Sequence, residues 1–337
     1  MLAPSKPNPV VIASYALAAA ALLLVMYKGL LAAMFSGLLV FSLVHLLAPK
    51  LGKKLVGRRA QVLAVALLSG FIVAALSIAI WALIRFLQSD AGSIPVLLKK
   101  MADILEASRS QIPTWMASYI PVDADALRER ITNWLQTHAF EARSMGQEAA
   151  RILAHILIGM IIGAMAALYD STTTPIYQPL AAAMHARVVT LRNAFRNIVF
   201  AQVRIAAINA VLTGIYLVVI LPLAGIELPL RKTMVVVTFL VGLLPVIGNL
   251  ISNTILVIIG LSHSLHTALG SLLFLMAIHK LEYFLNAKII GQHIDARTWE
   301  LLTAMLVMES IFGIPGVIAA PVFYAYIKKE LSNHGLV

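Results

Sequence analysis

Of the acids in the C-terminal third of the chain, two lie in clearly apolar sequence, Glu282 and Glu309. Glu309 lies in the run Met305-Leu-Val-Met-Glu-Ser-Ile-Phe312, where only one other residue is polar. An ionisable group in a membrane segment costs roughly 2.5–3.5 kcal/mol on insertion scales, which makes it a functional candidate by default. Glu309 has two readings, a carboxyl that couples to a proton or ion and a structural partner of Arg204 or Lys280. His279, Glu282 and Asn286 share one helical face at i, i+3 and i+7. They form either a proton relay or a hydrated helix end, and the second is the plainer reading. Asn249, Ser252 and Asn253 follow a Pro/Gly interruption, where a helix N-terminus offers free N–H groups to an anionic or polar ligand. They serve equally well as a helix cap. Gln202, Asn209, Thr213 and Tyr216 fall on one face of another apolar stretch, with Arg204 beside them. A polar stripe on a spanning helix must face protein or water, so it either lines a cavity or bonds neighbouring helices.

Several chemistries are excluded. The chain has no cysteine, hence no disulfide, thiolate nucleophile or cysteine-bound metal. It has no His-Glu-x-x-His zinc motif and no nucleotide-binding Gly-x-x-x-x-Gly-Lys-Ser/Thr. Its apolar stretches hold no paired aspartates for an intramembrane protease. Gly260-Leu-Ser262-His263 is too weak a pattern for a nucleophile site. The chain therefore reads as a non-enzyme with no metal and no cofactor.

The elements that must position these residues are a pair of broken apolar segments. The first break reads Gly242-Leu-Leu-Pro245-Val-Ile-Gly248-Asn249, and the second Ile311-Phe-Gly313-Ile-Pro315-Gly316. Lipid offers no partner to the backbone groups that proline and glycine free, so such breaks persist at membrane depth only inside protein or along a wet cavity. At about 1.5 Å per residue, Leu250 to Leu261 covers about 18 Å, too short for a hydrocarbon core of about 30 Å. Matched Gly/Pro-interrupted segments point to a substrate site at the midplane of a secondary transporter.

Composition agrees. Of 337 residues 61% are hydrophobic and 12% charged, about half the charge of a soluble chain, and mean hydropathy is +0.91. The apolar runs are continuous rather than alternating, which indicates helices and not a barrel. The net charge of +11 suits cytoplasmic loops and anionic lipid. Without basic runs interleaved with aromatics, no nucleic-acid partner is expected.

Full spans are predicted over Val10–Met26, Gly29–Ala48, Ala60–Phe86, Ile152–Tyr169, Ile198–Pro222 and Leu265–Leu285. The apolar start at Val10, preceded by Lys6, reads as a retained first span and not a cleaved signal, because a second apolar run follows at once. The loop Pro49–Arg59 carries Lys50, Lys53, Lys54, Arg58 and Arg59 and no acid, which places it and both termini in the cytoplasm. Arg231 and Lys232 run against this charge rule. Residues 87–151 hold eight of the fifteen acids and read as an external helical insert, with one helix after Ser93 and another after Asp123. Gly159 and Gly163 form a GxxxG face for close helix approach. The stretch Asp170–Asn197, with Arg187, Arg192 and Arg196, reads as a cytoplasmic loop. Met234–Ser262 and Glu300–Ala325 read as hairpins entering from opposite faces, although paired full spans would give the same sidedness. The expected fold is all-α: about six full spans plus two opposed broken hairpins, or about eight membrane segments. It divides into residues 1–86, the insert 87–151 and a transport core 152–337.

Three further stretches carry a family likeness: Leu243-Leu-Pro-Val-Ile-Gly248, Glu282-Tyr-Phe-Leu-Asn-Ala-Lys288-Ile-Ile-Gly291 and Phe312-Gly-Ile-Pro-Gly-Val-Ile-Ala-Ala-Pro321. In order and spacing they resemble the C-terminal signature of the autoinducer-2 exporter family of bacterial permeases. The chain differs from that signature at Ala287 and at Thr298-Trp299-Glu300. The resemblance implies a multi-pass protein of the bacterial inner membrane that exports a small polar metabolite such as a quorum signal. It equally implies, from other members, sodium or lithium exchange for protons. A non-transporting scaffold is the less favoured alternative. Expected partners are membrane lipid, a small-molecule or monovalent-ion substrate, and further copies of the chain in a homo-oligomer. The candidate binding residues are Glu309, Glu282, Asn249, Asn253, Arg204, Asn209 and Gln202, and the candidate hinges are Pro245, Gly248, Gly313, Pro315 and Gly316.

Overall fold

The computed structural model describes residues 9–52, 58–88, 139–172, 176–243, 247–261, 263–289 and 297–336. Among the described residues there is no strand. The helices are α1 (Pro9–Tyr27), α2 (Leu31–Gly52), α3 (Arg58–Gln88), α4 (Ala139–Thr172), α5 (Pro179–Ile215), α6 (Arg231–Gly242), α7 (Ile247–Leu261), α8 (Leu265–Ile289), α9 (Thr298–Phe312) and α10 (Ile314–Asn333). Five are long and apolar enough to cross a bilayer: Pro9–Tyr27, Leu31–Ala48, Val62–Arg85, Gln147–Ser171 and Pro179–Leu223. The sixth expected span falls in α8, whose described apolar piece is Leu265–Ile278. Most of the expected insert, with both of its amphipathic helices, lies outside the described residues.

One expectation is corrected. Residues from Pro179 onward are helical and not a loop. Proline suits a first helical position because its missing N–H would have no partner there, and Leu180, the alanines and Met184 that follow are strong helix formers. The arginines that suggested a loop sit on a helix whose Leu191, Phe195 and Ile198 are packed inward.

The chain forms two compact units, one of Met1–Ala79, Glu148–Val199 and His293–Val337, the other of Ile80–Gln147 and Phe200–Gln292. The core of the first is Phe195, surrounded by Met26, Leu31, Ala319, Val322 and Phe323. Its α2 and α4 touch backbone to backbone: a Cβ on Gly159 would overlap the Ala33 carbonyl, and one on Gly163 the Gly37 carbonyl. Here the predicted GxxxG face finds its neighbour. Ser36 Oγ also donates to the Ile156 carbonyl at 3.0 Å.

Polar contacts of the first unit gather where α1 and α5 begin and α10 ends. Arg187 donates to Glu330 and to the Tyr15 hydroxyl, and its guanidinium lies 4.1 Å from the Tyr15 ring centre. Tyr15 in turn donates to Glu330 Oε2 at 3.2 Å. Arg187 and Glu330 are both buried, with side chains 11% and 6% exposed. At the ends of α2 and α4, His45 Nε2 meets Asp170 Oδ2 at 2.8 Å.

In the second unit α5 ends in a widened turn, Tyr216–Ile220, followed by a last helical turn at Leu221–Leu223. Pro222 explains the widening: without an N–H it leaves the Val218 carbonyl unserved, and its ring crowds that carbonyl. The Leu221 N–H reaches back five residues to Tyr216. Tyr216 is buried, stacked 3.9 Å from Phe274, with its hydroxyl 3.1 Å from Ser271 Oγ on α8.

Candidate functional site

Both predicted breaks are present, and each joins two helices that pack side by side. In the first unit α9 and α10 form an antiparallel hairpin about Gly313, whose φ of 62° and ψ of −146° suit glycine alone. Gly313 N–H closes α9 on the Glu309 carbonyl at 2.7 Å. Three residues on, Gly316 is buried, and a Cβ there would overlap the Met308 carbonyl. Below the tip Met305 packs with Val317 and Ala320. At the open base Glu300 Oε2 accepts from Lys328 Nζ at 2.8 Å, from the Tyr324 hydroxyl and from the Arg297 N–H at 3.1 Å. These donors, Lys328 first and then Tyr324, hold the Glu300 carboxyl down to about 2. α9 has 15 residues and spans about 22 Å, short of a bilayer core. α10 has 20 and continues past the predicted end at Ala325, because Lys328 and Glu330 find partners in the fold.

The first break, in the second unit, is flanked by α6 and α7, its residues 244–246 lying outside the described ones. α6 has 12 residues and α7 has 15, so neither reaches across alone. Gly248 is buried, and a Cβ on it would overlap the Val241 carbonyl. Met234 on α6 shares a buried cluster with Leu256 and Ile259 on α7. At the end of α6 the Gly242 carbonyl accepts a hydrogen bond from Gln202 Nε2 at 2.7 Å.

The polar stripe on α5 faces protein. Asn209, Thr213 and Tyr216 are buried, Gln202 is half-buried, and Arg204 is exposed. Two bonds of the stripe, Gln202 to Gly242 and Tyr216 to Ser271, tie α5 to neighbouring helices. On α7 Ser252 is buried and Asn253 half-buried. The side chains of Asn249, His279, Glu282 and Asn286, and Pro245 as a whole, lie outside the described residues. Pro315 and Gly313 are exposed at the hairpin tip.

Glu309 is exposed, and so are Leu306, Val307 and Ile311 beside it. Met305, Met308 and Phe312 are instead packed inward, so the apolar neighbours do not bury the carboxylate. Among the described residues its carboxylate makes no ion pair. Sequence reasoning passes over Arg187–Glu330 and Glu300–Lys328, whose acids look like ordinary charges near the ends of apolar segments. The one available signal is Glu330 itself, a carboxylate within a basic C-terminal helix end.

Each hairpin brings the negative C-terminal end of one helix beside the positive N-terminal end of the next. Such broken-helix ends can hold an anionic group at one side and a cation at the other. Among the described residues no three His, Cys, Asp or Glu converge as a metal site would require.

Five bilayer-length apolar helices with two glycine-packed broken hairpins define a multi-pass helical membrane protein. Residues 12–334, nearly the whole chain, match the AI-2E family transporter, and the chain belongs to that family. It is accordingly a transporter. Comparison with curated proteins returns no match.

Proposed function

We propose that the protein is a secondary transporter that exports a small polar metabolite, such as a quorum-sensing signal, coupled to an ion or proton gradient. The observation that carries this reading is the repeated construction of the two breaks, in which a buried glycine lets the second helix close on a carbonyl of the first: Gly248 on Val241 and Gly316 on Met308. Paired broken-helix ends at membrane depth have a use in binding a charged or polar solute and little use in a scaffold. Glu309, a titratable group one turn before the second break, is the proposed coupling residue. The protein is placed in the bacterial inner membrane with both termini cytoplasmic, a reading supported by the basic cluster Lys50–Arg59 and by the meeting of Tyr15 near the start of α1 with Glu330 near the end of α10.

The test is reconstitution of purified protein in proteoliposomes. Autoinducer-2 movement that rises when a pH gradient is imposed supports the reading. Proton flux driven by sodium or lithium with no metabolite present would assign monovalent cation/proton antiport instead. Neither flux above that of protein-free vesicles would overturn both.

A further inference from the structure

We infer that Gln202 is a positioning residue for the first broken helix: it acts by donating to the Gly242 carbonyl and not by touching substrate. The consequence for transport rests on the function proposed above, whereas the geometry does not.

Gly242 is the last residue of α6. In a continuing helix its carbonyl would accept the N–H of residue 246. α6 ends here instead, and the Leu243 N–H folds back to the Leu240 carbonyl at 3.3 Å. Gly242 is buried, and a carbonyl there without a donor would be costly, since lipid supplies none. Gln202 Nε2 meets it at 2.7 Å.

The reach is prepared one turn along α5. A Cβ on Gly242 would stand 3.3 Å from the Ala206 Cβ and 3.5 Å from its Cα, so the two helices approach with almost nothing between them. Ala206 is fully buried and lies four residues after Gln202, on the same face. A larger residue at 206 or 242 would push α6 outward and pull the carbonyl from the amide. The adjacent Val241 carbonyl is closed over by Gly248. Of two consecutive carbonyls at the break, one is thus covered by the returning helix and the other is bonded by Gln202. The amide is suited to this because it donates without carrying charge.

The decisive variants are Gln202→Glu and Gln202→Met. A protonated glutamate can donate to the carbonyl and an ionised one cannot. Relative to wild type in detergent, Gln202→Glu is expected to melt nearly as high at pH 5 and clearly lower at pH 8. Gln202→Met should show the same deficit at both. Hydrogen exchange over residues 236–250 should quicken about threefold to tenfold in Gln202→Met, the factor that one ordinary hydrogen bond controls, with the α9–α10 hairpin unchanged. In vesicles loaded with autoinducer-2, Gln202→Met should lower the maximal rate at unchanged KM. A raised KM alone would make Gln202 a substrate ligand and overturn the inference, as would unchanged exchange at the break. If Gln202→Glu cannot be purified, the exchange of Gln202→Met decides. If the wild type moves neither metabolite nor cation, the transporter reading fails, while melting and exchange still test the hydrogen bond.

Discussion

Gly316 lies so close to Met308 that a Cβ on it would overlap the Met308 carbonyl oxygen. α10 can fold back on α9 only because nothing projects there. Gly316→Ala should therefore force the hairpin apart. Overpacking a tight contact typically costs about 1–3 kcal/mol, and this neighbour is backbone that cannot step aside. Gly270, inside α8, is the control, since a Cβ there meets nothing within 4 Å. Gly270→Ala should be neutral or stabilising, by up to about 1 kcal/mol, because alanine is the better helix former. Thermal unfolding of both variants in one detergent checks the contrast. Equal melting temperatures would mean that the close approach does not constrain the hairpin.

Arg187 and Glu330 give a second prediction. The pair is buried, yet among the described residues Arg187 Nε and Glu330 Oε1 have no hydrogen-bond partner, so its desolvation is incompletely compensated there. Glu330→Ala would leave a guanidinium buried over Tyr15, and breaking such a pair costs about 3–5 kcal/mol. Replacing both residues with apolar ones, Arg187→Met with Glu330→Leu, should restore stability to near wild type or above. A double variant that melts as low as the single one would show that the ion pair itself is needed to join α1, α5 and α10.

Legibility in the sequence follows range. The spans are readable because a run of about eighteen or more apolar residues fits little except a membrane crossing. The breaks are readable because glycine and proline inside such runs must interrupt a helix. The extent of α5 is easily misread, because Arg187, Arg192 and Arg196 look like loop charges until their neighbours are known. Arg187 meets an acid 143 residues away, and no local pattern reports that. Periodicity places Gln202 correctly on a stripe that must face protein or water. Its partner, the carbonyl of Gly242, lies 40 residues on, so its task cannot be read locally. For Glu309 hydropathy describes the neighbours along the chain, whereas exposure depends on which way that face of α9 points.

Glu300 gives a pH prediction of definite sign. Its carboxyl stands at about 2 in the fold, against 4.5 ordinarily. A folded value below the unfolded one contributes stability above the unfolded value, and that stability is lost as pH falls from about 4.5 towards about 2. The base of the α9–α10 hairpin should thus be insensitive to pH between 8 and 5 and weaken below. Melting curves at pH 7, 5 and 3.5 should show the advantage of wild type over Glu300→Gln shrinking only in the last step. An advantage that is the same at all three would refute the assignment.

Glu309 is the proposed coupling residue. It lies on the outward face of α9, one turn before Gly313, and makes no ion pair among the described residues. A residue without a charged partner can be neutralised without orphaning one, so Glu309→Gln should insert and melt close to wild type. Transport should respond differently. Coupling to a proton gradient requires a group that binds and releases a proton during the cycle, and glutamine cannot. Glu309→Gln should therefore abolish movement driven by a pH gradient, at least tenfold below wild type, a factor equivalent to about 1.4 kcal/mol. Glu309→Asp keeps the carboxyl, moved inward by one methylene, and should retain part of the rate. A structural carboxylate would give the opposite pattern: Glu309→Gln would melt lower, while any protein that survived would transport with the wild-type pH dependence. Wild-type rate and pH profile in Glu309→Gln vesicles would remove this residue from the mechanism.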